Sequence, residues 1–184
     1  MRSWFCTLAI FSGATFGVPA SIAQADQGTD AQNLARSFVG NCVQNEGRTD
    51  KITSAAKTFG WRELSGDMKA MLGPQDPSVE YSGWFVTESE TPPYLLGISK
   101  GELNGAIYET CSLASPNMNM DSVLLEVEKL LSLGKLIDDS ESGGQRYRVW
   151  STDSIADKSF MSVTSAPKMG IAGGTISLSA LSEQ

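Results

Sequence analysis

Cys42 and Cys111 constrain the fold of this chain more than any other pair of residues. The chain has three cysteines. The third, Cys6, lies in an apolar N-terminal stretch that reads as an export leader, so an even number remains once that leader is removed. An even count in an oxidising compartment points to a disulfide. The alternative is two separate buried thiols. A bridge would close a loop of about 70 residues, worth about 4 kcal/mol in the chain-entropy account. It would also dictate geometry. Cys111 sits on a strand-like stretch over 103–113, where Ile107, Glu109, Cys111 and Leu113 point one way and Ala106, Tyr108, Thr110 and Ser112 the other. Cys42 sits near the end of a helical stretch. The expected link pins an N-terminal helix to the middle of a sheet.

The leader has a charged start at Arg2, an apolar run over 4–18 and a small-x-small cleavage site at Ala23-Gln24-Ala25. The run is about 15 residues, short of the roughly 20 that a membrane span requires. Cys6 comes too early, and lacks the preceding small residues, to be a lipid attachment point. We therefore expect a signal peptide over 1–25 and one domain over 26–184. That length suits a single domain of about 100–200 residues with a core of its own. The expected home is the periplasm or the medium, with no membrane span after cleavage.

Loss of Arg2 with the leader takes the formal net charge from −7 to −8. Such a chain repels phosphates, which argues against nucleic acid and anionic membranes as partners. It is better matched to a basic protein partner, or to no charged partner at all.

Periodicity then orders the elements. Residues 30–43 recur as a helix through Leu34, Phe38 and either Val39 or Cys42, with Gly47 placed for a left-handed stop. Residues 49–59 form a second helix on Ile52, Ala55, Ala56 and Phe59, ended by Gly60. These two are expected to make a hairpin lidded by Trp61. Residues 65–72 add a helical turn, and 73–77 a loop. Three strands follow over 79–87, 94–99 and 103–113, with a turn or loop expected at 88–93 and a tight turn at 100–102. Residues 121–133 give the strongest helix, with Val123, Leu124, Val127, Leu130 and Leu131 as its stripe, capped by Asn119 or Asp121 and stopped by Gly134. Strands over 135–139, 145–152, 158–165 and 173–181 complete the chain. The last alternates Ile176, Leu178 and Ala180 with Thr175, Ser177 and Ser179, which suits an edge strand or a sheet face open to water. The class is α+β, with order α-α-β-β-β-α-β-β-β-β and an antiparallel sheet carrying the helices.

Chemistry is narrowed by what is missing. The sequence has no histidine, which removes Ser-His-Asp and Cys-His catalysis and imidazole metal sites. An oxidised cysteine pair supplies neither a thiolate nucleophile nor a zinc cage. The glycines at 143–144 and 170–174 match neither a dinucleotide fingerprint nor a phosphate loop. The run 138–143 lacks the ligand order of a calcium loop and reads as a hairpin tip. Catalysis would have to come from carboxylates, with Glu102, Glu109, Asp138 and Asp139 near strand ends as the available groups. The simpler reading of these is a solvated acidic surface. No catalytic residue, cofactor or metal ligand set is assigned.

A strip of Arg146, Arg148 and Trp150 shares one face of a strand, and Arg and Trp are frequent interface anchors. It is a candidate binding surface; the plainer reading is an ordinary face with cross-strand charge pairs. Finally, Phe38 and Cys42 at four-residue spacing, then Gly60-Trp61, then a lone later Cys111 on a strand resemble a group of small exported proteobacterial proteins. The resemblance implies a periplasmic home and carries over no functional residue. The expected function is binding without catalysis, in the manner of an inhibitor or interaction protein. A glycosidase-like carboxylate hydrolase and a structural envelope accessory are the alternatives.

Overall fold

Alternation between large apolar and small polar residues builds one eight-stranded antiparallel sheet. The computed structural model describes residues 21–182 apart from 75 and 77; the leader expected over 1–25 therefore lies mostly outside the described residues. In chain order the elements are α1 (Ser21–Phe38), a π turn (Val39–Val43), α2 (Thr49–Phe59), β1 (Arg62–Glu63), α3 (Gly66–Leu72), β2 (Glu80–Glu88), β3 (Thr91–Leu103) and β4 (Ala106–Ser115), followed by α4 (Met120–Leu130), β5 (Leu136–Ser142), β6 (Gln145–Ser151), β7 (Phe160–Ala166), a 3-10 turn (Pro167–Met169) and β8 (Ile171–Leu181). The fold is α+β. Its strand order is β1-β2-β3-β4-β8-β7-β6-β5. Two meanders thus meet through their last strands, β4 and β8, at the centre of the sheet.

The register explains the core. Trp84, Leu96, Leu113, Ile176 and Val163 face one another across five neighbouring strands. They pack with Leu34 and Phe38 of α1 and Val123 and Val127 of α4 in one apolar cluster. Sheet residues of period two and helix residues of period 3.6 so bury the same interface. Helices α1 and α4 lie beside each other on this face. The expected α1–α2 hairpin is therefore looser than its sequence suggests: α1 takes α4, not α2, as its main helical neighbour.

Cys42 and Cys111 are bonded, with their Cα atoms 5.4 Å apart. Both are fully buried. Cys42 lies on the π turn and Cys111 in the middle of β4, so the bridge joins the end of the α1 rod to the central strands. Gly47, at φ +70°, then turns the chain; an added Cβ there would sit 3.3 Å from the Leu178 carbonyl oxygen. Gly60 ends α2 in the left-handed region, and Asn119 caps α4 by accepting the N–H groups of Asp121 and Ser122.

Several boundaries differ from expectation. Lys100-Gly101-Glu102 is not a turn: β3 runs on to Leu103, and the hairpin is closed by Asn104 and Gly105, at φ 53° and 80°. That pair forms the two-residue connection whose twist matches the strands. Pro92 and Pro93 lie inside β3, where the ladder shifts between Val86 and Glu88; a bulge frees the strand from needing their missing donors. Helix α4 stops at Leu130, four residues before Gly134, and Leu130 is 48% exposed. Strand β8 is central, so its alternation reflects an open face and not an edge. Among the described residues no helix is long and apolar enough to cross a membrane.

Candidate functional site

The helix-covered face uses up most of the residues that sequence alone marked as chemically interesting. Glu109 is only 7% exposed. Its carboxylate accepts the Thr49 backbone N–H at 2.9 Å, the Thr49 hydroxyl at 3.2 Å and the Ser182 hydroxyl at 2.8 Å. Lys100 Nζ lies 3.5 Å away. Burial alone would push this carboxyl up, but the bonds from Thr49 and Ser182 and the Lys100 charge hold it below its ordinary value. Glu109 is thus an anchor for the first turn of α2. Asp139 is bound by both Arg146 Nε and Nη2, at 2.8 and 2.7 Å. Asp138 accepts the Ser140 hydroxyl. Each of these three carboxylates thus has a local partner of its own.

The strip of Arg146, Arg148 and Trp150 lies on the helix face, with Arg148 and Trp150 only 8% and 9% exposed. Arg148 reaches Asp121 at the start of α4, and its guanidinium carbon stands 5.8 Å from the Trp150 ring centroid. Arg146 alone keeps substantial exposure, and it is paired. Alternation correctly grouped the three on one side; it could not tell that α4 would cover two of them.

Among the described residues, the other face of the sheet carries no helix across its centre. Three rows run along it. Phe85, Leu95, Ala114, Thr175, Thr164 and Tyr147 are mutual neighbours in register. So are Gly83, Gly97, Ser112, Ser177 and Ser162, and beside them Tyr81, Ser99, Thr110, Ser179 and Phe160. The result is a groove of about 640 Å³ between Tyr81 and Tyr147. It continues over Leu95, Ala114, Thr164 and Thr175 into a second space of about 310 Å³ that ends at Pro116 and Gly173.

Glycines shape one wall. Tyr81 lies across β2 and β3, and an added Cβ on Gly97 would sit 2.9 Å from its hydroxyl oxygen. Any side chain at position 97 would lift that ring. Burial pushes the Tyr81 phenol up, so it stays neutral. On the floor, Ser177 donates to Ser112 at 2.9 Å and Thr110 pairs with Ser179 at 2.8 Å. Among the described residues, the hydroxyls of Ser162, Thr164 and Thr175 have no hydrogen-bond partner in the chain. No Asp, Glu, Lys or Arg lines either space among the described residues.

This arrangement offers hydroxyl donors and acceptors, two tyrosine rings and small side chains that let a ligand approach the backbone. It offers no base beside any serine and no carboxylate pair. Among the described residues no three His, Cys, Asp or Glu side chains converge as a metal site would require. Sequence reasoning missed the groove, although part of the signal was there: Ser and Thr at alternate positions of β4, β7 and β8 mark a face that no apolar layer covers. No protein-family model, no curated protein and no solved structure matches the chain.

Proposed function

We propose that this is an exported, non-catalytic binding protein of the periplasm or medium, and that its partner docks on the open sheet face. The observation that carries this reading is the uncharged, hydroxyl-lined groove between Tyr81 and Tyr147. Shape and short-range hydrogen bonding are what such a surface supplies; proton transfer is not, because no titratable carboxylate or histidine lines it. Of the carboxylates that a hydrolase could use, Glu109 is engaged in capping α2 and Asp139 in pairing with Arg146. The disulfide supports export, since such bonds persist in oxidising compartments.

The formal charge of −7 bears on the kind of partner. A field of that sign draws a basic protein toward the surface, while the neutral groove makes the contact. The test is capture from periplasmic extract on the immobilised protein at low and at high salt. A specific partner retained at low salt and weakened at high salt is the expected result. Turnover of a glycoside substrate by the purified protein, lost on Glu109→Gln, would contradict the reading.

A further inference from the structure

Phe59 is the most exposed of the large hydrophobic side chains among the described residues, at 70%. It ends α2, where an apolar side chain of that size is expected to be buried. One side of its ring rests on Trp61, with centroids 5.8 Å apart and planes 25° from parallel. Trp61 in turn packs against the core. Phe59 is therefore a supported aromatic shelf in solvent.

The shelf borders a cavity of about 500 Å³, walled by α1, the π turn and the β2–β3 turn. Glu88 stands in it, and its carboxylate is fixed from both sides. Ser37 donates to one oxygen at 2.7 Å and the Tyr94 hydroxyl to the other at 2.9 Å. Asn41 donates to that tyrosine oxygen at 2.9 Å. Burial, and then the Glu88 charge, push the Tyr94 phenol up, so it stays a donor. Hydroxyl donors orient a carboxylate but leave its charge intact. Among the described residues Glu88 has no ion pair. The cavity also holds Glu90 and Arg36, so its local balance is negative.

A positioned carboxylate beside a supported aromatic face is complementary to a planar cation. A guanidinium stacks on the ring and donates N–H groups in the same plane, where each carboxylate oxygen still has a lone pair to accept them. We propose that this pocket takes an arginine side chain of a basic protein partner. The inference rests on the proposed binding function only for the partner's basic character. The pocket shares no lining residue with the open-face groove, so the two are tested apart.

The test is a titration of the purified protein, followed by NMR, with a short tri-arginine peptide blocked at both ends. A tri-lysine peptide and an uncharged peptide of the same length serve as comparisons. Saturable shifts centred on Phe59, the Trp61 indole and Glu88 are expected with the arginine peptide. Glu88→Gln and Phe59→Ala should each weaken it about tenfold or more, a loss of about 1.4 kcal/mol. Arg36→Ala, which removes a like charge from the wall, should tighten it. Glu88→Gln keeps an oxygen for Ser37 or Tyr94, and Phe59 is exposed, so a single cooperative melt well above the titration temperature verifies that each variant is folded. Absence of saturable shifts, equal binding by both variants, or equal binding of the lysine peptide would overturn the assignment. If the peptide fails while an extract protein is still captured and is lost when the open-face groove is filled, the pocket falls and the binding function stands.

Discussion

The Glu109 carboxylate accepts the backbone N–H of Thr49 at 2.9 Å, across 60 residues of sequence. Thr49 is the first residue of α2, whose leading N–H groups have no partner within the helix. The N-cap residue, Arg48, does not cap the helix with its own side chain. A carboxylate from β4 takes over that role, two residues before Cys111. Disulfide and cap thus tie the same corner, one covalently and one by charge-assisted hydrogen bonds.

Glu109 makes stability pH-dependent in a defined direction. Its folded pKa is below the ordinary 4.5, so the native state binds fewer protons than the unfolded one. The contribution is fully present above the ordinary value and is lost as pH falls through the folded value. Glu109→Gln should cost about 1.5–3 kcal/mol at neutral pH, the range for hydrogen bonds to a charged group. Urea midpoints measured between neutral and acidic pH should fall less steeply for the variant than for the natural protein.

The Cys42–Cys111 bond should be complete in protein purified without reductant. Thiol titration of the denatured, unreduced chain, with the leader absent, is expected to find no free thiol. Replacing both cysteines with alanine should lower stability by about 2–5 kcal/mol, read from denaturant unfolding curves with a slope fitted to each protein, because release of the crosslink expands the unfolded chain.

Packing of α4 separates two neighbouring positions. Val127 is fully buried against the sheet, whereas Leu130 is half exposed at the last turn. Val127→Asp should therefore cost at least about 3 kcal/mol by burying an uncompensated charge. Leu130→Asp should stay within about 0.5 kcal/mol. Thermal melts of the two variants side by side distinguish this arrangement from one in which the whole apolar stripe is covered.

How far the sequence could be read follows from what is local and what is not. Gly47, Gly60 and Asn119 act as the helix punctuation that their residue types imply, because caps are decided within one turn. The cysteine pairing followed from compartment and count. The Asn104-Gly105 turn was also legible, since both residues are at ease with positive φ, which Lys100-Gly101-Glu102 does not offer at two central positions. The burial of Arg148 and Trp150 was not legible, for a different reason. Alternation assigns residues to a side of a strand, but which side is covered depends on where α4, a separate element, comes to rest. The groove was only partly legible for the same reason: the Ser/Thr alternation shows strand by strand, but Ser112, Ser162 and Ser177 lie on three strands far apart in sequence, and only the register of β4, β8 and β7 makes them neighbours.

The most direct measurement of the proposed function fills the open face and asks whether binding survives. Ser162 lies on the groove floor and has no hydrogen-bond partner among the described residues, so Ser162→Trp should occupy the space between Tyr81 and Tyr147 and leave melting unchanged. Immobilised natural protein and variant are then compared for capture from periplasmic extract. Loss of the specific, salt-sensitive partner from the variant alone is the predicted result; recovery of that partner at equal yield by both would contradict docking on this face.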